Sequence, residues 1–230
     1  MSQAVTAVVG VGPGNGMALA RRFAAEGQRV ALIARRQEAV EGYAKEIEGA
    51  RGYACDVTDL DAVAASFEAI REQLGPVTTL IYNAGSGSWG NLDQVSAADL
   101  DRAFQINARG LFATAKQVVP DMRAAGHGVI GIVGATASLR GKPGTLTFAA
   151  GKAAQRSIAQ SLARQLGPEG IHVFLTILDG QVLGPKGPGQ RPIEDFLAPT
   201  DIAEAMWQIA NQPRSTWTFE LDLRPHQEKW

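Results

Sequence analysis

Along almost the whole chain, short and continuously apolar runs alternate with longer stretches whose apolar residues recur every three or four positions. The short runs predict strands at 4–10, 29–34, 52–55, 79–82, 128–134, 171–178 and 216–223. The longer stretches predict helices at 16–26, 37–48, 60–74, 97–124, 144–165 and 199–211. Strands that are apolar along their full length, rather than at every second residue, are buried on both faces. A helix between successive strands supplies the crossover that parallel pairing requires. The pattern therefore predicts an α/β, doubly wound, mostly parallel seven-stranded sheet with helices on both faces. A length of 230 residues fits one such domain, 1–230.

No repeat, low-complexity segment or linker divides the chain. The one irregular stretch, 184–192, is rich in Gly and Pro and follows the sixth strand at the carboxyl edge of the sheet, where ligands of such sheets bind. It fits a substrate-contacting loop or a plain connector. With 22 basic against 23 acidic residues, nothing points to a nucleic-acid-binding surface. The first apolar run is too short to cross a bilayer and no basic region precedes it, so neither a signal peptide nor a membrane span is expected. Cys55 is the single cysteine and cannot form an internal disulfide, which points to a cytoplasmic setting. Its place in a predicted strand makes it a buried, inert thiol.

The segment Gly10-Val11-Gly12-Pro13-Gly14-Asn15-Gly16 joins the first strand to the first helix. Glycines there let the backbone turn sharply, approach a pyrophosphate and start a helix whose amino end offers free N–H groups to phosphate. Where an acidic residue would recognise the ribose 2′-hydroxyl of NAD, the second strand ends instead in Arg35-Arg36. Guanidinium groups suit a 2′-phosphate, so NADP(H) is favoured over NAD(H).

From end to end the chain resembles the short-chain dehydrogenase/reductase family, which has a Rossmann-type fold. Gly10, Gly14 and Gly16 match its glycine turn, and Asp56-Val57 its adenine-contacting motif. Asn83-Ala84-Gly85 matches the Asn-Ala-Gly motif, Asn107 the helix asparagine that supports a proton-relay water, and Lys152 the lysine of Tyr-x-x-x-Lys. The catalytic centre departs from the family: Phe148 stands at the tyrosine position and Ala135 at the serine position. The resemblance implies that the tyrosine would be the general acid and that the serine would hold the substrate oxygen. A positioned acid contributes on the order of 10²–10⁴ in rate, so the usual ketone reduction should be crippled. The usual Pro-Gly after the sixth strand is Asp179-Gly180, while Val182 sits where a backbone group would meet the nicotinamide amide. The segment 184–197 is short for a substrate lid, which implies an open pocket.

Thr136 and Ser138 flank Ala135 and are candidates to supply a hydroxyl, Ser138 being carried forward with Asn107, Phe148 and Lys152 as the catalytic set. Asp179 reads first as a turn-forming residue before glycine, and as an acid or base only if burial raises its pKa. Lys152 is expected to bind the nicotinamide ribose and is a candidate proton donor. His127, His172 and His226 have no metal-site spacing, so no metal is expected. The tail 217–223 reads as an edge strand, and the resemblance implies a homodimer or homotetramer. Two functions fit: an NADPH-dependent oxidoreductase acting on an imine, iminium or carbonyl of a small molecule, or a non-enzymatic NADP(H)-binding sensor or partner-binding protein.

Overall fold

The structure, a computed structural model, describes residues 3–228. Its seven-stranded sheet is parallel throughout, in the order β3-β2-β1-β4-β5-β6-β9. The strands are β1 (Val5–Val9), β2 (Arg29–Ala34), β3 (Ala50–Ala54), β4 (Val77–Tyr82), β5 (Gly128–Val133), β6 (Ile171–Leu178) and β9 (Glu220–Leu223). The helices α1 (Asn15–Ala25), α2 (Gln37–Ala44), α3 (Leu60–Gln73), α4 (Ala97–Phe104), α5 (Gly110–Ala125), α6 (Leu146–Leu166) and α7 (Pro199–Ala210) connect them. This is the doubly wound Rossmann-type architecture.

The winding reverses between β1 and β4, which opens a crevice at the carboxyl end of the sheet. Val9 pairs with both Ile33 and Tyr82, so β1, β2 and β4 end level. The residues that follow them, Gly10, Arg35 and Asn83, consequently meet at one edge. Below this edge the sheet separates two apolar layers. On one face Val5, Ala7 and Val9 pack with Phe67, Leu111, Val118 and Ala159 of α3, α5 and α6. On the other, Val8 and Leu32 pack with Met17, Phe23, Ile202 and Met206 of α1 and α7. Burial on both faces is why β1 and β6 are apolar without alternation.

Several boundaries differ from the sequence pattern. The expected continuous helix 97–124 is two helices joined by a π-helical turn, Gln105–Arg109. The expected last strand shortens to Glu220–Leu223, because Arg214–Thr216 form a 3₁₀ turn and the Trp217 ring stacks flat on His172, with centroids 4.7 Å apart. Two short strands that the pattern did not announce, β7 (Gln181–Val182) and β8 (Phe196–Leu197), pair in parallel and give the 184–197 loop a fixed base. Among the described residues no helix is long and apolar enough to cross a membrane.

Candidate functional site

The glycine turn is built by close approach. Gly10 has φ +88°, and a Cβ there would lie 2.5 Å from the backbone of Ala84. A Cβ on Gly16 would lie 2.7 Å from Val11 Cα, so α1 starts tight against the turn. Gly12 and Gly14 are the converse: a Cβ on either would meet no atom within 4 Å. Asn83 braces the turn, its amide donating to Gly10 O at 2.7 Å and its Oδ1 accepting from Asn15 at 2.8 Å. No side chain caps α1; Met17 N–H donates to Gly12 O at 3.1 Å, which leaves the N–H groups of Asn15 and Gly16 and the positive dipole end for an anion.

A cavity of about 720 Å³ runs from this turn to the ends of β2 and β3 and is lined by Arg35, Arg36, Asp56, Val57, Asn83 and Ala84, among others. Open space beside Gly12 and Gly14, an uncapped helix and basic residues at the far end together fit a phosphorylated dinucleotide. Burial pushes the Asp56 carboxyl up, but the backbone and hydroxyl of Thr58, with the charges of Arg35 and Arg102, hold it below its ordinary value. Arg102 and Tyr43 also line this cavity and went unnoticed in the sequence, since neither falls in a recognisable motif. Cys55 is buried here, and burial pushes its thiol up, which keeps it protonated and inert.

A second cavity, of about 850 Å³, shares Asn83 and Gly85 with the first and is lined by Ala135, Thr136, Phe148, Lys152, Gly180 and Val182, among others. Lys152 is 5% exposed and donates to Val133 O at 2.9 Å and Gln155 Oε1 at 3.0 Å. Burial pulls its pKa down to about 7. The Phe148 ring lies 6.0 Å from the Lys152 ammonium and 5.3 Å from the Trp89 ring.

Asn107 sits in the π-helical turn, its amide donating to Ser86 O at 3.1 Å and Ala103 O at 2.9 Å. Its Oδ1 is buried and has no hydrogen-bond partner. A buried unpaired carbonyl oxygen is costly unless a ligand or water completes it. A Cβ on Gly85 would lie 3.5 Å from Lys152 Nζ and 3.6 Å from this oxygen, so both groups border the same bare backbone. The turn itself is held from below by Tyr82, whose hydroxyl donates to Ile106 O at 2.5 Å.

Ser138, the hydroxyl carried forward from the sequence, turns back onto its own backbone. Its hydroxyl donates to Ala135 O at 2.7 Å, closing a 3₁₀ turn, and it lines neither cavity. Thr136 does line the second cavity, and its hydroxyl donates to Asp179 at 2.6 Å. Asp179 is more than a turn former: it is 7% exposed, lines the cavity, and lies 3.7 Å from Arg140 and 3.6 Å from Arg224. Arg140 and Arg191, both in the cavity wall, carried no signal in the sequence.

Residues 4–180 match the family described as short chain dehydrogenase. The chain belongs to the short-chain dehydrogenase family. Among its relatives, 2-(S)-hydroxypropyl-CoM dehydrogenase 3 of Xanthobacter autotrophicus is 30% identical, over 88% of this chain and 87% of that protein. The same organism's inactive 2-(S)-hydroxypropyl-CoM dehydrogenase 2 is 32% identical, over 81% and 89%. Among solved structures, an alcohol dehydrogenase of Thermococcus sibiricus complexed with 5-hydroxy-NADP is 25% identical, with a TM-score of 0.89 over 99% of both chains.

Proposed function

We propose that the protein is an NADP(H)-dependent oxidoreductase that acts on a small molecule without a tyrosine acid. The observation that carries this reading is a cofactor-shaped cavity sharing Asn83 and Gly85 with a second one that Lys152 and Phe148 line, with the unpaired Asn107 oxygen bordering the shared Gly85. Aligned on Lys152, Phe148 holds the family's tyrosine position and Ala135 its serine position.

The glycine turn and α1 would hold the pyrophosphate, Asp56 and Val57 the adenine, and Arg35 and Arg36 a 2′-phosphate. Gly180 and Val182 would flank the nicotinamide, and Lys152 the adjoining ribose. When bound, the nicotinamide would supply or accept a hydride. Phe148 and Trp89 present aromatic surface and no proton, so the cavity favours an electrophile already charged, such as an iminium ion. Thr136 is a poor substitute acid because its proton is committed to Asp179. Lys152, with its pKa near neutrality, is the remaining group able to give a proton near pH 7.

A second reading, a cofactor-binding protein without turnover, is favoured by one specific fact: a relative of similar identity is described as inactive. NADPH oxidation against matched cyclic imines and ketones, for the native protein and Phe148→Tyr, tests the choice. Native turnover selective for imines supports the oxidoreductase. Saturable NADPH binding with no turnover on either class supports the second reading.

A further inference from the structure

The second cavity is unevenly charged. Its wall carries Arg140, Lys142 and Arg191 from two separate loops, besides Lys152, against the carboxylates of Asp179 and Glu228. Asp179 stands between two arginines, with Arg224 at 3.6 Å from one oxygen and Arg140 at 3.7 Å from the other. The Arg224 side chain is 16% exposed and the Arg140 side chain 50%, so Arg224 answers the carboxylate from the inside while Arg140 faces the opening. At 3.7 Å the Arg140 contact is longer than a hydrogen bond, which leaves guanidinium donors free. Lys142 is exposed, and its ammonium makes no ion pair or hydrogen bond among the described residues. Arg191 is fixed on the opposite loop by Gln181 at 2.8 Å and Asp195 at 3.4 Å, with its guanidinium over Phe196. The apolar lining of the same cavity includes two aromatic rings, Trp89 and Phe148, whose centroids are 5.3 Å apart, and Trp89 is 70% exposed.

From this arrangement we propose that the second cavity takes an oxyanion-bearing substrate, its carboxylate or phosphate held by Arg140 and Lys142 and its flat body laid against Trp89 and Phe148. The inference rests on reading this cavity as the substrate site. A planar guanidinium recognises either oxyanion through two parallel donors, and a neighbouring ammonium adds a point charge.

Isothermal titration of the NADP⁺-saturated protein with benzoate, phenyl phosphate and the neutral isostere benzamide tests the proposal. At least one anion should bind about tenfold or more tighter than benzamide, the effect of one charge-assisted contact, and the tighter of the two identifies the oxyanion. Lys142→Met, at an exposed position, should reduce that preference about fivefold, and Arg140→Met should bring it close to parity. Both variants should bind NADP⁺ as the native protein does. Equal binding of anions and benzamide, or a preference untouched by both substitutions, would overturn the proposal. If NADP⁺ does not bind, the cofactor reading fails by itself, and the same titrations on the free protein still decide the anion site.

Discussion

Lys152 is a buried amine with two neutral acceptors and no carboxylate partner among the described residues, and this makes the stability of the cofactor-free protein depend on pH in a defined direction. Its folded pKa lies near 7 and its unfolded value near 10.5. Burial disfavours the charged form, so between these values the unfolded chain holds one more proton than the folded one. Unfolding free energy therefore rises with pH across that window, by about 1.4 kcal/mol per unit where the difference approaches a full proton. Lys152→Met removes the titrating group. It also leaves Val133 O and Gln155 Oε1 without their donor, at a cost of about 1–3 kcal/mol that does not vary with pH. The informative quantity is therefore the slope and not the offset. Urea unfolding of both proteins at several values between about pH 8 and pH 9.5 should show the native protein gaining about 2 kcal/mol relative to the variant. Parallel stability curves would mean that Lys152 stays charged in the fold, and would remove it as a proton donor near neutrality.

Two further outcomes follow from the geometry. Replacing Arg35 and Arg36 together by alanine should weaken NADPH binding about 10–100-fold and leave NADH binding nearly unchanged, measured by nucleotide fluorescence, because only the 2′-phosphate loses charge-assisted donors. Tyr82→Phe strips the donor from the buried Ile106 carbonyl and should lower unfolding free energy by about 1–3 kcal/mol in urea titration.

The sheet and the cofactor turn were legible because each rests on a local rule. Uninterrupted apolar runs mark strands buried twice, and Gly10 and Gly16 stand where neighbouring backbone leaves no room for a side chain. The second cavity was much less legible. Whether Thr136 or Ser138 faces it depends on the backbone tightening into a 3₁₀ turn straight after β5, which composition does not reveal. The π-helical turn that places Asn107 depends on a Tyr82 hydroxyl brought from another strand, and no helical period in 97–124 announces it. Asp179, Arg140 and Arg224 are far apart in the chain, and their association exists only once β6, the turn after β5 and the carboxyl-terminal segment are folded together. The shortened last strand follows the same logic, since local packing such as the Trp217–His172 stack overrides an apolar pattern.

Hydride transfer in a cavity holding Phe148 in place of a tyrosine acid can be followed in a single-turnover experiment with NADPH deuterated at the transferable position of C4. With a cyclic imine in excess, deuterium should appear at the former imine carbon of the product, at a rate that Phe148→Tyr does not raise. Saturable NADPH binding with no label in any product, from imines or ketones alike, would contradict it.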